Sequence, residues 1–142
     1  MTQKASIRHS LIREIVRQRP ISSQSELVEA LAQRGMKATQ ATVSRDVREL
    51  GLRKYTGGYY AIAEDRHVRK MFQELVTSVV PAQNLVVVKT STGIAQGVAA
   101  ALDASKRGEV IGTIAGDDTI ILVCEDNDRA TEVARLLDAY RT

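Results

Sequence analysis

Thr39-Gln40-Ala41-Thr42-Val43-Ser44-Arg45-Asp46-Val47-Arg48-Glu49-Leu50-Gly51-Leu52 is the stretch on which the reading of this chain turns. Thr39 has the hydroxyl of a helix N-cap, and Gly51 supplies a left-handed stop at the other end. At about 100° per residue, Val43, Val47 and Leu50 share one side of that helix and are expected in a core. The opposite side shows Ala41, Arg45 and Arg48, flanked by Thr42, Ser44 and Glu49, with Gln40 near the start. Small residues there let the helix approach a DNA major groove. Arg can fork onto a guanine edge, and Ser, Thr and Gln can reach phosphates or bases. A plain solvated helix face has the same composition, so the neighbouring elements must decide.

Upstream, Ser23-Gln24-Ser25-Glu26 has the form of a capping box, Leu27, Val28 and Leu31 give an apolar stripe, and Gly35 ends it. Only Met36-Lys37-Ala38 separate this helix from the next, which predicts a helix-turn-helix. An earlier helix is predicted after Ser6, with Ile7, Leu11, Ile12, Ile15 and Val16 at helical spacing and a stop before Pro20. Downstream, residues 52–55 and 59–62 are two short strand-like runs about Thr56-Gly57-Gly58. A hairpin directly after a third helix is the wing of a winged helix-turn-helix. Arg53 and Lys54 on it suit backbone phosphates, and suit equally the charged edge that discourages strand aggregation.

The 142 residues allow one ordinary domain or two small ones. Net charge is +3, but residues 1–70 hold 14 Lys and Arg against 7 Asp and Glu, whereas residues 71–142 hold 6 against 10. One half is suited to a polyanion and the other to something neutral or cationic. The polar start Met1-Thr2-Gln3-Lys4 leads into no signal-peptide core, and no apolar run approaches the roughly 18 residues of a membrane span, so a cytoplasmic location is expected. Cys124 has no partner for an internal disulfide. His9 and His67, without a second cysteine, offer no zinc site of the usual spacing, so no metal is expected.

The strongly charged residues 65–73 read as a linker, partly helical, with His67 solvated. This divides the chain into 1–64, 65–73 and 74–142. Beyond the linker the pattern predicts strands at 74–81 and 84–90, a helix at 94–105, strands at 109–115 and 119–124, and a helix at 127–140. The fold class is therefore mixed α+β: a winged helix-turn-helix followed by a two-layer domain with an antiparallel sheet and both helices on one face. Leu85-Val86-Val87-Val88 and Ile120-Ile121-Leu122-Val123 are apolar on both faces, which calls for a cover over the second face. Another copy of the chain is the expected cover. Cys124 is expected to be inert packing.

Gly112-Thr113-Ile114-Ala115-Gly116-Asp117-Asp118-Thr119 stands between the last two strands. It fits a plain hairpin turn. Paired carboxylates also fit a divalent cation or acid catalysis, but no third ligand or base accompanies them. A third reading is recognition of a guanidinium, whose forked donors match a carboxylate in charge and shape. On the preceding helix Gln96 and Asp103, seven residues apart, align opposite the core beside Ala99 and Ala100. That surface suits either solvent or a close contact between subunits that carries a ligand.

Taken together, residues 39–52 and 112–119 closely resemble the bacterial arginine repressor family, in the family's order and spacing, over nearly the whole chain. The resemblance implies a DNA-binding first domain and a ββαββα second domain that forms trimers and, with L-arginine as corepressor, hexamers. It places the guanidinium on Asp117, with Asp118, Thr113 and Ala115 nearby, and Gln96 and Asp103 at the polar end of the amino acid. It places the DNA readers on Gln40, Thr42, Ser44 and Arg45, with wing residues such as Lys54 in support. The helix face itself adds Arg48. The implied partners are double-stranded operator DNA and L-arginine, in a homo-oligomer without a membrane role. Two other classes are open: a DNA-binding regulator of a different amino acid, and an α+β metabolic enzyme subunit. The second lacks a glycine-rich phosphate loop, a GxSxG elbow or a His–acid pair, so a non-enzyme is expected.

Overall fold

The computed structural model describes residues 2–142, which divide into two compact units at Ala63/Glu64. The first begins with α1 (Gln3–Gln18), α2 (Gln24–Gln33) and α3 (Gln40–Glu49). Their ends follow local chemistry. α1 starts before Ser6, at Gln3, and Thr2 caps it by accepting from the Ala5 amide at 3.1 Å. Ser23 caps α2 through the Glu26 amide, and the Glu26 carboxylate turns chiefly to Ser22, whose amide and hydroxyl both donate to it, so the box closes largely one residue early. Gly35 and Gly51 follow α2 and α3 at φ +81° and +66°, where a side chain would be strained.

Ile12, Ile15, Ile21, Leu27, Leu31, Val43, Val47 and Leu52 fill the first core. Two expectations for α1 change here. Ile7 is 53% exposed, and the inward position beside it belongs to His9, which is 5% exposed. The wing consists of β1 (Arg53–Lys54) antiparallel to β2 (Tyr60–Ala61). The Tyr60 amide donates to the Ile21 carbonyl at 2.8 Å and holds the wing on its unit.

In the second unit, residues 65–73 are not a linker. They lie within α4 (Ala63–Leu75), whose Val68 and Phe72 are buried in the second core. Phe72 meets the ring of Tyr140 edge-on at 6.3 Å between centroids. His67 is exposed on the same helix. There follow β3 (Val76–Ala82), β4 (Leu85–Thr90), α5 (Ala95–Ala104), β5 (Val110–Ala115), β6 (Thr119–Cys124) and α6 (Asn127–Ala139). The four strands pair antiparallel in the order β3-β4-β6-β5.

Val86, Val88, Ile120 and Leu122 point to the helices and are fully buried with Val98, Leu102, Val133 and Leu137. Ala99, expected on the outward side of α5, also belongs to this core. Burial pushes the Cys124 thiol above its ordinary range, in keeping with a packing role. On the other face the register aligns Val80 with Val87, Val87 with Ile121, and Ile121 with Ile114. One apolar row thus crosses all four strands, and its outer members Val80 and Ile114 are 53% and 74% exposed.

Candidate functional site

The Thr39 hydroxyl oxygen accepts from the Thr42 amide at 3.1 Å and starts α3, which turns Val43 and Val47 inward. Gln40, Ala41, Arg45 and Arg48 are consequently exposed, while Thr42 and Ser44 stand half-buried at the margin of the same side. Lys54 is exposed on β1, opposite Tyr60 in register, with its Nζ 5.4 Å from the centre of that ring. The cation keeps its aliphatic stem on the wing and its charge at the surface. A basic helix face and a basic wing strand suit a polyanion.

Helix-wheel reasoning missed what lies behind that face. Asp46 is 1% exposed, and both of its carboxylate oxygens accept from the Arg8 guanidinium of α1. His9 Nε2 stands 2.8 Å from Asp46 and 3.5 Å from Glu49. Because carboxylates only accept, that nitrogen carries a proton toward them. Burial pushes the Asp46 carboxyl up. Hydrogen bonds from Arg8 and His9, with their charge, outweigh it and hold the group below its ordinary value. The hydrogen bond to Asp46 chiefly holds the Arg8 guanidinium above its own. His9, Asp46 and Glu49 have ligand atoms within 4.8 Å of one another, but the Arg8 fork already neutralises Asp46, and the group acts as an ion-pair anchor. The signal in the sequence was Arg8-His9 at helical spacing from the buried Ile12 and Ile15.

In the second unit, Asp103 Oδ1 accepts from the Thr113 hydroxyl at 2.9 Å and joins α5 to β5. The turn after β5 is fixed by its backbone. The Asp117 carbonyl accepts from Gly93 and Ala95 at 3.1 and 3.2 Å, the Asp118 carbonyl from Thr90 at 2.8 Å, and Gly116 donates to Thr119 at 2.9 Å. Both acid side chains remain exposed, yet they differ. Asp118 accepts from the Thr119 hydroxyl at 2.9 Å and has Lys89 Nζ at 4.0 Å. The Asp117 carboxylate is unpaired among the described residues. Gln96 is exposed in the first turn of α5, the end tied to Asp117, and Ala115 closes β5 half-buried. Where α5 ends, a cavity of about 190 Å³ opens beside Asp103 and Thr113.

The chain matches two family models. Residues 2–68 match "Arginine repressor, DNA binding domain", and residues 72–139 match "Arginine repressor, C-terminal domain". It is similar to the arginine repressor of Acidobacterium capsulatum, 43% identical over 139 residues that cover 92% of this chain and 94% of that protein. The arginine repressor of Koribacter versatilis is 46% identical, over 89% of this chain and 90% of its own. That of Thermus thermophilus is 44% identical over 87% and 82%. With both of its units matched, the chain belongs to the arginine repressor family.

Proposed function

We propose that this protein is an arginine-dependent transcriptional regulator that binds operator DNA of arginine metabolism genes and uses L-arginine as corepressor. The observation that carries the ligand half of this reading is the unpaired, exposed Asp117 carboxylate on a turn whose backbone is clamped at both ends. A rigid carboxylate without a partner is what a forked guanidinium requires. Asp118, Thr113, Ala115, Gln96 and Asp103 complete the proposed contact set along α5 and β5. On the DNA side, Gln40, Thr42, Ser44, Arg45 and Arg48 address the groove, and Lys54 holds phosphate.

The mechanism is linkage. The apolar row on the open sheet face supports assembly with further copies of the chain, trimers joining into hexamers when arginine bridges them. Arginine neutralises acids that would otherwise repel across the contact, so it favours the assembly. An assembly presents several α3 helices at once, and operator affinity rises through multivalency. The role is one of binding, without catalysis, and it places the protein with the DNA in the cytoplasm. No helix among the described residues is long and apolar enough to cross a membrane.

A mobility-shift titration on the upstream region of the organism's own arginine biosynthetic genes tests the reading. Affinity should rise when L-arginine is added, and an unchanged titration would reject it. Calorimetry with arginine, lysine, ornithine and citrulline separates this corepressor from another amino acid.

A further inference from the structure

α4 carries a second basic surface, within the half of the chain where acids otherwise prevail. At about 100° per residue, Arg66, Arg69, Lys70 and Gln73 fall within about 100° of one another, on the side opposite Val68, Met71, Phe72 and Leu75. The first four are exposed, and the last four pack into the second core. No carboxylate stands in that stripe. Glu64, Asp65 and Glu74 lie outside it, and among the described residues none pairs with Arg69 or Lys70. Arg69 has its Cζ 4.7 Å from the centre of the Tyr140 ring. Arg107, only 8% exposed, has its own Cζ 5.5 Å from the same centre and donates from Nη2 to the Tyr140 hydroxyl. Two guanidiniums beside one ring repel each other, and the field of the buried one is weakly screened, so the surface at Arg69 is held positive. Arg141, next to Tyr140 in the chain, is by contrast taken up by Asp138 and the Thr77 carbonyl.

We propose that this face of α4 is a further contact for duplex DNA, in which Arg69 and Lys70 hold backbone phosphates beyond those assigned to the wing; it rests on the DNA-binding reading above. Ile62 alone separates β2 from α4, so the chain that brings the wing to a duplex delivers the start of α4 with it. From Ala63 to Lys70 the helix rises about 10 Å, and B-DNA carries a charge for about every 1.7 Å of its axis, so phosphates recur along the whole stripe. Such contacts add affinity without reading sequence. An acidic surface on another copy of the chain is the competing occupant. α4 packs into the core on the helix side of the sheet, away from the apolar row proposed for assembly, so the stripe does not continue that contact.

Fluorescence anisotropy of the full chain on operator and non-operator duplexes, over a range of salt, tests the contact. Lys70→Gln should lower the slope of log affinity against log salt by about 1 for each DNA-bound subunit, and Lys70→Gln combined with Arg69→Gln by about 2. The deficit of the double variant should therefore narrow by about tenfold per bound subunit between about 50 and about 200 mM salt. Both duplexes should lose affinity by the same factor, and sedimentation should stay that of wild type. Arg69→Lys, which keeps the charge, should hold the wild-type slope. The proposal is overturned if the double variant keeps the wild-type slope, if it weakens operator binding alone, or if it alters sedimentation, the last result assigning the stripe to another copy of the chain. Should the double variant fail to fold by circular dichroism, Lys70→Gln alone decides, because Lys70 is exposed and makes no ion pair among the described residues. Wild-type protein that binds neither duplex overturns the DNA-binding reading itself, and this contact with it.

Discussion

Asp46 Oδ1 lies 2.8 Å from His9 Nε2, joining the buried side of α3 to α1 across 37 positions of sequence, while Arg8 closes on both oxygens of the same carboxylate. Removing one member of a buried pair strands the others, so Asp46→Ala should cost the first unit about 3 kcal/mol. Hydrogen exchange of α1 and α3 amides measures this without interference from the second unit. The Asp46 carboxyl is held below its unfolded value, so the unfolded chain binds more protons in that range. Its stabilisation is complete above about pH 4 and lost as pH falls through the folded value. Asp46→Asn should therefore flatten the acid limb of the exchange profile, and an unchanged limb would contradict the anchor.

Thr39→Ala removes the acceptor for the Thr42 amide at the end of α3 proposed to enter the groove. The loss should be about 1 kcal/mol, read as faster exchange confined to the first turn of that helix. Operator binding should weaken in parallel.

Arg45 and Lys54 should separate by experiment. Arg45→Ala removes a proposed base contact worth about 1–3 kcal/mol and should shrink the operator to non-operator affinity ratio by about tenfold or more. Lys54→Ala should leave that ratio intact and lower the slope of log affinity against log salt by about 1. Identical effects from the two variants would refute the division of labour.

Asp117→Asn keeps the shape of the turn, whose bonds run through the backbone, and removes the unpaired charge. Arginine should then need about tenfold or higher concentration to raise operator affinity, with binding in its absence equal to or above wild type, because the variant also loses a charge that repels across the contact. A wild-type arginine response from the variant would reject the role.

Ile114→Asp places a charge at the 74% exposed end of the apolar row. Each large apolar side chain buried there contributes about 2 kcal/mol to assembly, and a charge reverses the sign. Sedimentation should show dissociation toward monomer at micromolar concentration while circular dichroism stays native. An intact oligomer would exclude this face from the contact.

Caps, turns and the succession of strands and helices were legible because they depend on neighbours a few residues apart. Thr39, Ser23, Gly35 and Gly51 each act locally, and the continuous apolar runs 85–88 and 120–123 placed β4 and β6 to within a residue. The charged segment 65–73 misled because its polar residues outnumber its core residues. The stripe Val68, Met71, Phe72, Leu75 was nevertheless present at helical spacing, and all four pack on the second core. Asp46 and Arg107 were illegible for a different reason. A carboxylate or guanidinium reads as solvated until a partner distant in the chain, Arg8 or Tyr140, encloses it. The residues proposed to meet the ligand stood out as a motif, whereas the difference between Asp117 and Asp118 needed Lys89 and Thr119 in place.

The row Val80, Val87, Ile121, Ile114 exists only when three separate strand pairings are each in their native alignment. A slip of one residue in any pairing turns a whole strand over and replaces its apolar member with one from the opposite face. The proposed assembly through this row would thereby test alignment at the sheet's edge: a slip at β5 puts Thr113 or Ala115 where Ile114 stands, and a subunit with that broken seam would be withheld from the assembled form without any separate surveillance.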